Sequence, residues 1–243
     1  MKFELVDNRI FKDCFLTIGG IIDEIILECD SEGIRCRALD KSHVSFVNLE
    51  LHAALFDSYN CETPEKIILD SDELIKVLKR LGSSDTLYCE SDASNFILTY
   101  DGASKREFKL RLIDAEYESA QPPLIEHPVS LPLPVELLKD FLDDILLFDE
   151  NIRFLVDEDY LIASCNGDTG DTECRYVHGE FVDKVYRSSF SIKMLKDMLK
   201  AKSISKTCTL KLGDNLPLVL RFESMDKSCS LEFLLAPRIN EED

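Results

Sequence analysis

The sequence predicts an α+β fold built twice. Two observations carry that reading. Short stretches alternate apolar and polar residues at the period of a strand, and four stretches instead place apolar residues at helical spacing. The second half of the chain also repeats the order of these stretches. Residues 69–88 align with residues 190–209 without a gap at an offset of 121. Leu74 falls on Leu195, Val77 on Met198, Leu78 on Leu199, Lys79 on Lys200 and Thr86 on Thr207. Two helices packed on one face of an antiparallel sheet, twice, is the expected architecture.

Taken in order, residues 8–18 place Phe11, Phe15 and Ile18 on one helical face. Ile26-Leu27-Glu28-Cys29 reads as a strand entering the turn Asp30-Ser31-Glu32-Gly33. Residues 39–49 start as a polar turn and become a strand, with Val44, Phe46 and Asn48 on one side and Ser45, Val47 and Leu49 on the other. A second helix covers 71–81 through Leu74, Val77, Leu78 and Leu81. Asp70-x-x-Glu73 is a capping-box variant at its start, and Gly82 stands where a C-terminal cap belongs. Strands 86–90, 96–100 and 106–112 finish the half. Residues 115–128 lack a period and carry Pro122, Pro123 and Pro128, which marks an extended connector between domains 1–114 and 129–243. The second half repeats the series with a helix at 135–146, a turn at Asp157-Glu158-Asp159, a helix at 191–201 and strands 207–212, 216–223 and 230–235.

The chain has 243 residues, 45% of them hydrophobic, enough for two ordinary cores. No long uncharged apolar run marks a membrane span, and Met1-Lys2-Phe3-Glu4 enters alternation directly without a secretory leader. Nine cysteines with no Cys-x-x-Cys pair argue against a disulfide framework or a structural zinc site, so free thiols in a reducing, intracellular setting are expected. The net charge is −19, which argues against nucleic-acid binding unless the basic residues are segregated onto one face.

They are segregated onto helices. Lys76, Lys79 and Arg80 lie opposite the apolar face of the second helix, and Lys193, Lys196 and Lys200 lie opposite that of the fourth. Arg9 and Lys12 sit across from Phe11 and Phe15. The third helix differs: Lys139 stands among Glu136, Asp140, Asp143 and Asp144. A single lysine stripe is ordinarily a solvated helix face, but recurrence at equivalent places in a duplicated fold points to one functional surface.

Catalytic patterns are absent. Gly167-Asp168-Thr169-Gly170 has neither the spacing nor the following helix of a phosphate loop, and Asp157-Glu158-Asp159 reads as a hairpin tip. Nothing orients Cys165, Cys174 and His178 into a nucleophile–base pair. No cofactor or metal is expected.

Two motifs carry a family resemblance. Asp40-Lys41-Ser42-His43-Val44 resembles the Asp-x-Ser-His-Val loop of the proliferating cell nuclear antigen family. Leu235-Ala236-Pro237-Arg238-Ile239, followed by Asn240-Glu241-Glu242-Asp243, resembles that family's Leu-Ala-Pro-Lys/Arg-Ile and acidic tail. The resemblance spans the chain and looks archaeal in length. It implies a DNA clamp fold closing into a homotrimeric ring that encircles duplex DNA and contacts phosphates without reading sequence.

On that resemblance Arg9, Lys12, Lys76, Lys79, Arg80, Lys139, Lys193, Lys196 and Lys200 face DNA. Leu39, His43, Val44, Phe46, Leu124, Pro217, Leu234, Ala236 and Pro237 form a hydrophobic docking site for DNA polymerase, clamp loader, flap endonuclease and ligase. Residues 105–112 pair with residues 173–177 of the next subunit, with Phe108 and Tyr176 in the contact. The implied location is the cytoplasm or nucleoid of an archaeon, or the nucleus of a eukaryote. Other readings remain open: a subunit of a heterotrimeric or checkpoint-type clamp, or a metal-dependent DNA-processing enzyme using the carboxylate surplus.

Overall fold

The computed structural model describes residues 1–115 and 120–238. The chain separates into two compact units: Met1–Pro122 with Glu223–Leu231, and Pro123–Phe222 with the described residues from Glu232 onward.

In the first unit the elements are β1 (Lys2–Leu5), α1 (Arg9–Ile18), β2 (Glu24–Asp30), β3 (Gly33–Leu39), β4 (Ser45–His52), β5 (Ser58–Asn60), β6 (Glu65–Asp70), α2 (Ser71–Leu78), β7 (Thr86–Ser91), β8 (Asn95–Asp101) and β9 (Lys105–Arg111). The strands run β5-β1-β7-β8-β9 in one sheet and β4-β3-β2-β6 in the other, each pair antiparallel. The later elements are β10 (Val129–Pro134), α3 (Val135–Ile145), β11 (Asn151–Val156), β12 (Tyr160–Gly167), β13 (Gly170–Val177), β14 (Tyr186–Ser191), α4 (Ile192–Met198), β15 (Thr207–Leu212), β16 (Leu218–Glu223) and β17 (Cys229–Leu235). Their order is β10-β15-β16-β17 and β13-β12-β11-β14. The two series share one topology, with the short β5 as the extra strand of the first. The offset of 121 places α2 on α4 and β7 on β15.

Helix burial follows the expected faces. Phe11, Phe15 and Ile18 of α1, and Leu74 and Leu78 of α2, are buried. The Phe11 and Phe15 rings lie 4.6 Å apart, and Phe3 of β1 meets Phe11 at 5.3 Å. Each fully buried aromatic contributes about 1.5–3 kcal/mol. In the second unit Leu138, Phe141, Leu142 and Ile145 of α3, and Ile192, Leu195 and Met198 of α4, play the same part.

Several boundaries differ from the sequence reading. A strand, not a helix, opens each half. α2 stops at Leu78 rather than residue 81, and α4 stops at Met198 and tightens into a 3-10 turn over Leu199–Ser203. Gly82 is not the cap: its N–H donates to the Asp85 carboxylate at 2.9 Å, in the loop beyond the helix. The start of α2 is as expected, since Asp70 accepts from the Glu73 N–H at 3.0 Å, while the Glu73 carboxylate turns to Lys76. β4 departs from simple alternation, because Ser45, Phe46 and Val47 are all buried and the strand is covered on both faces there. The turn before β3 requires a glycine. Gly33 has φ +146°, and a Cβ would stand 2.0 Å from the Leu51 carbonyl oxygen.

A buried polar knot ties α1 to the loop after α2. The Asn8 amide donates to the carbonyls of Gly82 and Asp85, at 2.9 and 2.7 Å. The Asp85 carboxylate, buried, takes the Arg106 guanidinium at 2.5 Å. Removing the Asn8 amide leaves two carbonyls without its hydrogen bonds, and removing the Asp85 carboxylate leaves the Gly82 N–H and the Arg106 guanidinium without theirs. Asn8→Ala and Asp85→Ala are each expected to cost about 2 kcal/mol, and the double variant less than the sum of the two. Thermal unfolding of the three variants measures this, and strict additivity would show that the groups act separately.

Candidate functional site

The expected basic residues divide by what holds them. On α1, Arg9 is clasped by Asp7 at 2.5 Å, and the Lys12 ammonium donates to the Leu81 carbonyl at 2.6 Å. On α2, Lys76 pairs with Glu73 at 2.7 Å. Lys79 and Arg80 lie past the helix end, exposed and without an ion-pair partner among the described residues. In the second unit Lys193 is exposed and likewise unpaired among the described residues. Lys196 reaches from α4 to Asp143 of α3 at 2.6 Å, and Lys139 lies 3.6 Å from the same carboxylate. Lys200 pairs with Asp197 at 2.5 Å.

The acids of α3, which set that helix apart in the sequence, are thus partly neutralised by lysines of α4. The Lys196 hydrogen bond holds the Asp143 carboxyl below its ordinary range. The pair therefore stabilises the fold above that range and is lost as pH falls through it. Exposed pairs of this kind contribute about 0–1 kcal/mol, so they yield readily to a better anion. Sequence reasoning missed Lys202. It stands on the 3-10 turn after α4, just past the predicted helix, and lies 3.2 Å from Glu136.

The motif loop between β3 and β4 is built on one carboxylate. Asp40 accepts from the backbone N–H groups of Ser42, Val44 and Ser45 at 3.2, 2.7 and 2.6 Å. His43 adopts a left-handed φ of 55°, which this bonding supports. Leu39, His43 and Val44 emerge exposed from the hairpin. A groove of about 390 Å³ beside them is lined by Ile22, Ile26, Ala38, Leu39, Lys41 and His43, among others. Phe46 is not part of the exposed surface. It is 3% exposed, opposite Leu39 in the β3–β4 register, so it supports the loop from beneath.

In the second unit Leu124 is fully exposed, and Pro217, Ala236 and Pro237 are half-buried. Leu234 is 6% exposed and belongs to the core of its strand, a second correction to the expected surface. His127 Nε2 meets the Pro217 carbonyl at 2.7 Å and ties the connector to the loop before β16. Arg238 bridges antiparallel to Ser189. Of the motif segments, Ile239 to Asp243 lie outside the described residues, as do Glu116 to Ser119 of the connector.

Among the strands that end their sheets without a further neighbour are β9, beyond β8, and β13, beyond β12. Phe108 of β9 is half-buried with its ring 5.0 Å from Tyr100, and Tyr176 of β13 is half-buried opposite Leu161. Val177, the last residue of β13, is 66% exposed and Leu147, just after α3, is 74% exposed. Pattern reading does not find such residues, because only burial shows that they lack cover.

The groups considered for chemistry are engaged elsewhere. His178 is buried, with Nε2 2.9 Å from the Asp157 carbonyl, and Asp157 itself accepts from the N–H groups of Asp159 and Tyr160. Cys165 faces the Ile145 carbonyl and Cys174 the Asp144 carboxylate, each at 3.9 Å. Burial pushes the thiols of Cys36 and Cys208 up to about 12, far from a reactive thiolate.

Comparison with known proteins agrees with this architecture. Residues 1–120 match the family model described as proliferating cell nuclear antigen, N-terminal domain. The chain is 46% identical over 242 residues to the DNA polymerase sliding clamp of Methanothermobacter thermautotrophicus, covering 100% of this chain and 99% of that one. It is 44% identical over the same span to the DNA polymerase sliding clamp of Methanobrevibacter smithii. Among solved structures, PCNA from Thermococcus kodakaraensis superposes with a TM-score of 0.90 at 25% identity, covering 98% of this chain and 99% of that one. With this likeness running from end to end, the chain belongs to the proliferating cell nuclear antigen family of DNA polymerase sliding clamps.

Proposed function

We propose that this protein is a sliding clamp that encircles duplex DNA and tethers a DNA polymerase. The observation that carries the reading is the 46% identity to a sliding clamp over the whole chain, both motif segments included. The unpaired ends of β9 and β13 support assembly. An open strand edge invites another strand, and a head-to-tail pairing of β9 with β13 of the next copy closes after three subunits if the rotation suits. Val177 and Leu147 would then be covered beside Phe108 and Tyr176. In this reading residues 1–114 and 129–243 are the paired clamp domains and 115–128 the connector between them.

The basic helix residues contact phosphates without reading bases. Lys79, Arg80 and Lys193 carry most of the attraction, because no carboxylate among the described residues competes for them. Arg9, Lys12, Lys76, Lys139, Lys196 and Lys200 contribute less, each already holding a partner. Leu39, His43 and Val44, with Leu124, Pro217, Ala236 and Pro237, take short hydrophobic segments of the polymerase, clamp loader, flap endonuclease and ligase. The clamp acts inside the cell as a tether, without catalysis or cofactor. A mixed ring is the second reading, favoured by the likeness to the PCNA2–PCNA3 complex from Sulfolobus tokodaii, with a TM-score of 0.88 at 27% identity.

Light scattering of the pure chain at micromolar concentration separates these readings. A three-chain mass is expected, and a persistent monomer would favour the mixed ring. For DNA, Lys79→Ala, Arg80→Ala and Lys193→Ala together should flatten the salt dependence of binding by about 0.9 in slope per lost phosphate contact. Lys76→Ala and Lys200→Ala should change it less, and the reverse ranking would reject the division by pairing. For docking, Leu39→Ser with Val44→Ser should abolish binding of the polymerase's C-terminal peptide while leaving the melting temperature near that of the parent. Phe46→Ser should instead cost about 3–5 kcal/mol of stability. A stable Phe46→Ser protein would place that ring on the surface after all.

A further inference from the structure

The outer face of the sheet β13-β12-β11-β14 carries a feature that clamp action does not use. Arg153 of β11 stands in register with Ser189 of β14 on one side and Ser164 of β12 on the other. Ser164 pairs in turn with Glu173, and Ser189 with Arg238. Direct register partners project to the same face of a sheet, so Arg238, Ser189, Arg153, Ser164 and Glu173 form one row across it. Two residues along, Arg187, Leu155 and Ile162 form the next row on that face. Phe154, between these positions, and Phe190, next to Ser189, are buried on the other side. The rows enclose a hollow of about 210 Å³, with Asn215 at its edge.

Arg153, Arg187 and Arg238 are exposed, and none has an ion-pair partner among the described residues. In a chain with 47 acidic residues and a net charge of −19, three unpaired guanidinium groups around one hollow are a local reversal of sign. A guanidinium presents a planar fork that fits a carboxylate or phosphate with two hydrogen bonds. Such arginines hold that capacity in reserve.

We propose that this hollow binds an extended acidic peptide segment of a partner protein, alternating carboxylate and aliphatic side chains. The arginines receive the carboxylates, and Leu155 with Ile162 receives an aliphatic side chain between them. The alternative anion is a nucleic acid, and the lining disfavours it. Among the described residues no aromatic side chain lines the hollow for a base to stack on and no lysine extends a phosphate track, while Glu173, held by Arg175, closes one end. A peptide strand avoids that carboxylate by ending short of it. The site consists of residues of the second unit alone.

The test uses the full-length protein in its native assembly and a fluorescein-labelled peptide of sequence Asp-Leu-Glu-Asp-Leu-Glu, read by anisotropy. Saturable binding is expected in the micromolar range, weakening steeply with salt. Arg153→Ala and Arg187→Ala are each expected to weaken it about 10-fold, and Arg153→Glu to abolish it. Arg153→Lys should restore only part, because an ammonium lacks the fork. All three positions are exposed, so melting temperatures should match the parent and confirm that the variants fold. A peptide with Asn and Gln in place of its acids should not bind. Equal binding to the parent and to the Arg153→Ala, Arg187→Ala double variant would overturn the proposal. So would displacement of the peptide by a single-stranded oligonucleotide at lower concentration than by unlabelled peptide, since the hollow would then be a nucleic-acid site.

Discussion

Burial of a single apolar stripe on each of four helices is the constraint from which the rest follows. Phe11, Phe15, Leu74 and Leu78 in the first unit, and Leu138, Leu142, Leu195 and Met198 in the second, can leave water only if the helices lie flat on their sheets. The opposite stripe is then forced outward, and it is there that the lysines and arginines stand. A strongly acidic chain thereby acquires a basic surface without changing its net charge. The segregation comes from packing, and the charges need only occupy positions that the core leaves free.

That surface is tempered. Asp143, Glu73, Asp197 and Asp7 hold most of the helical cations in shallow pairs, leaving Lys79, Arg80 and Lys193 without an ion-pair partner among the described residues. Exposed pairs of this strength are exchanged at little cost. A clamp needs weak, numerous and interchangeable contacts, because a tight one would stop it from moving. The open edges of β9 and β13 are where the proposed ring would close, and its strength would then reside in the ring and not in the grip.

The fold was largely legible because duplication let each half check the other: α2 and α4, and β7 and β15, coincide at the offset found in the sequence. The motif loop was legible as well, since Asp40 followed by small polar residues is a turn with a mechanism. Errors came where local pattern competes with tertiary burial. Phe46 and Leu234 look like half of an alternating strand, yet both are covered, so neither belongs to the exposed surface proposed for docking. Gly82 resembles a helix cap, but the Asp85 carboxylate takes its N–H and the helix has ended earlier. The unpaired state of Lys79 and of the three arginines around β11 depends on neighbours distant in sequence, and no window of the chain contains it.

Attachment of this clamp to DNA is proposed to be topological. It is tested most directly by loading the protein onto a nicked circular plasmid with its clamp loader, isolating the complex and cutting the DNA once. Retention on the circle is expected in salt that abolishes direct binding, with rapid loss from the linear form. Retention that is unchanged by linearisation would contradict it, because the protein would then be holding DNA by affinity alone.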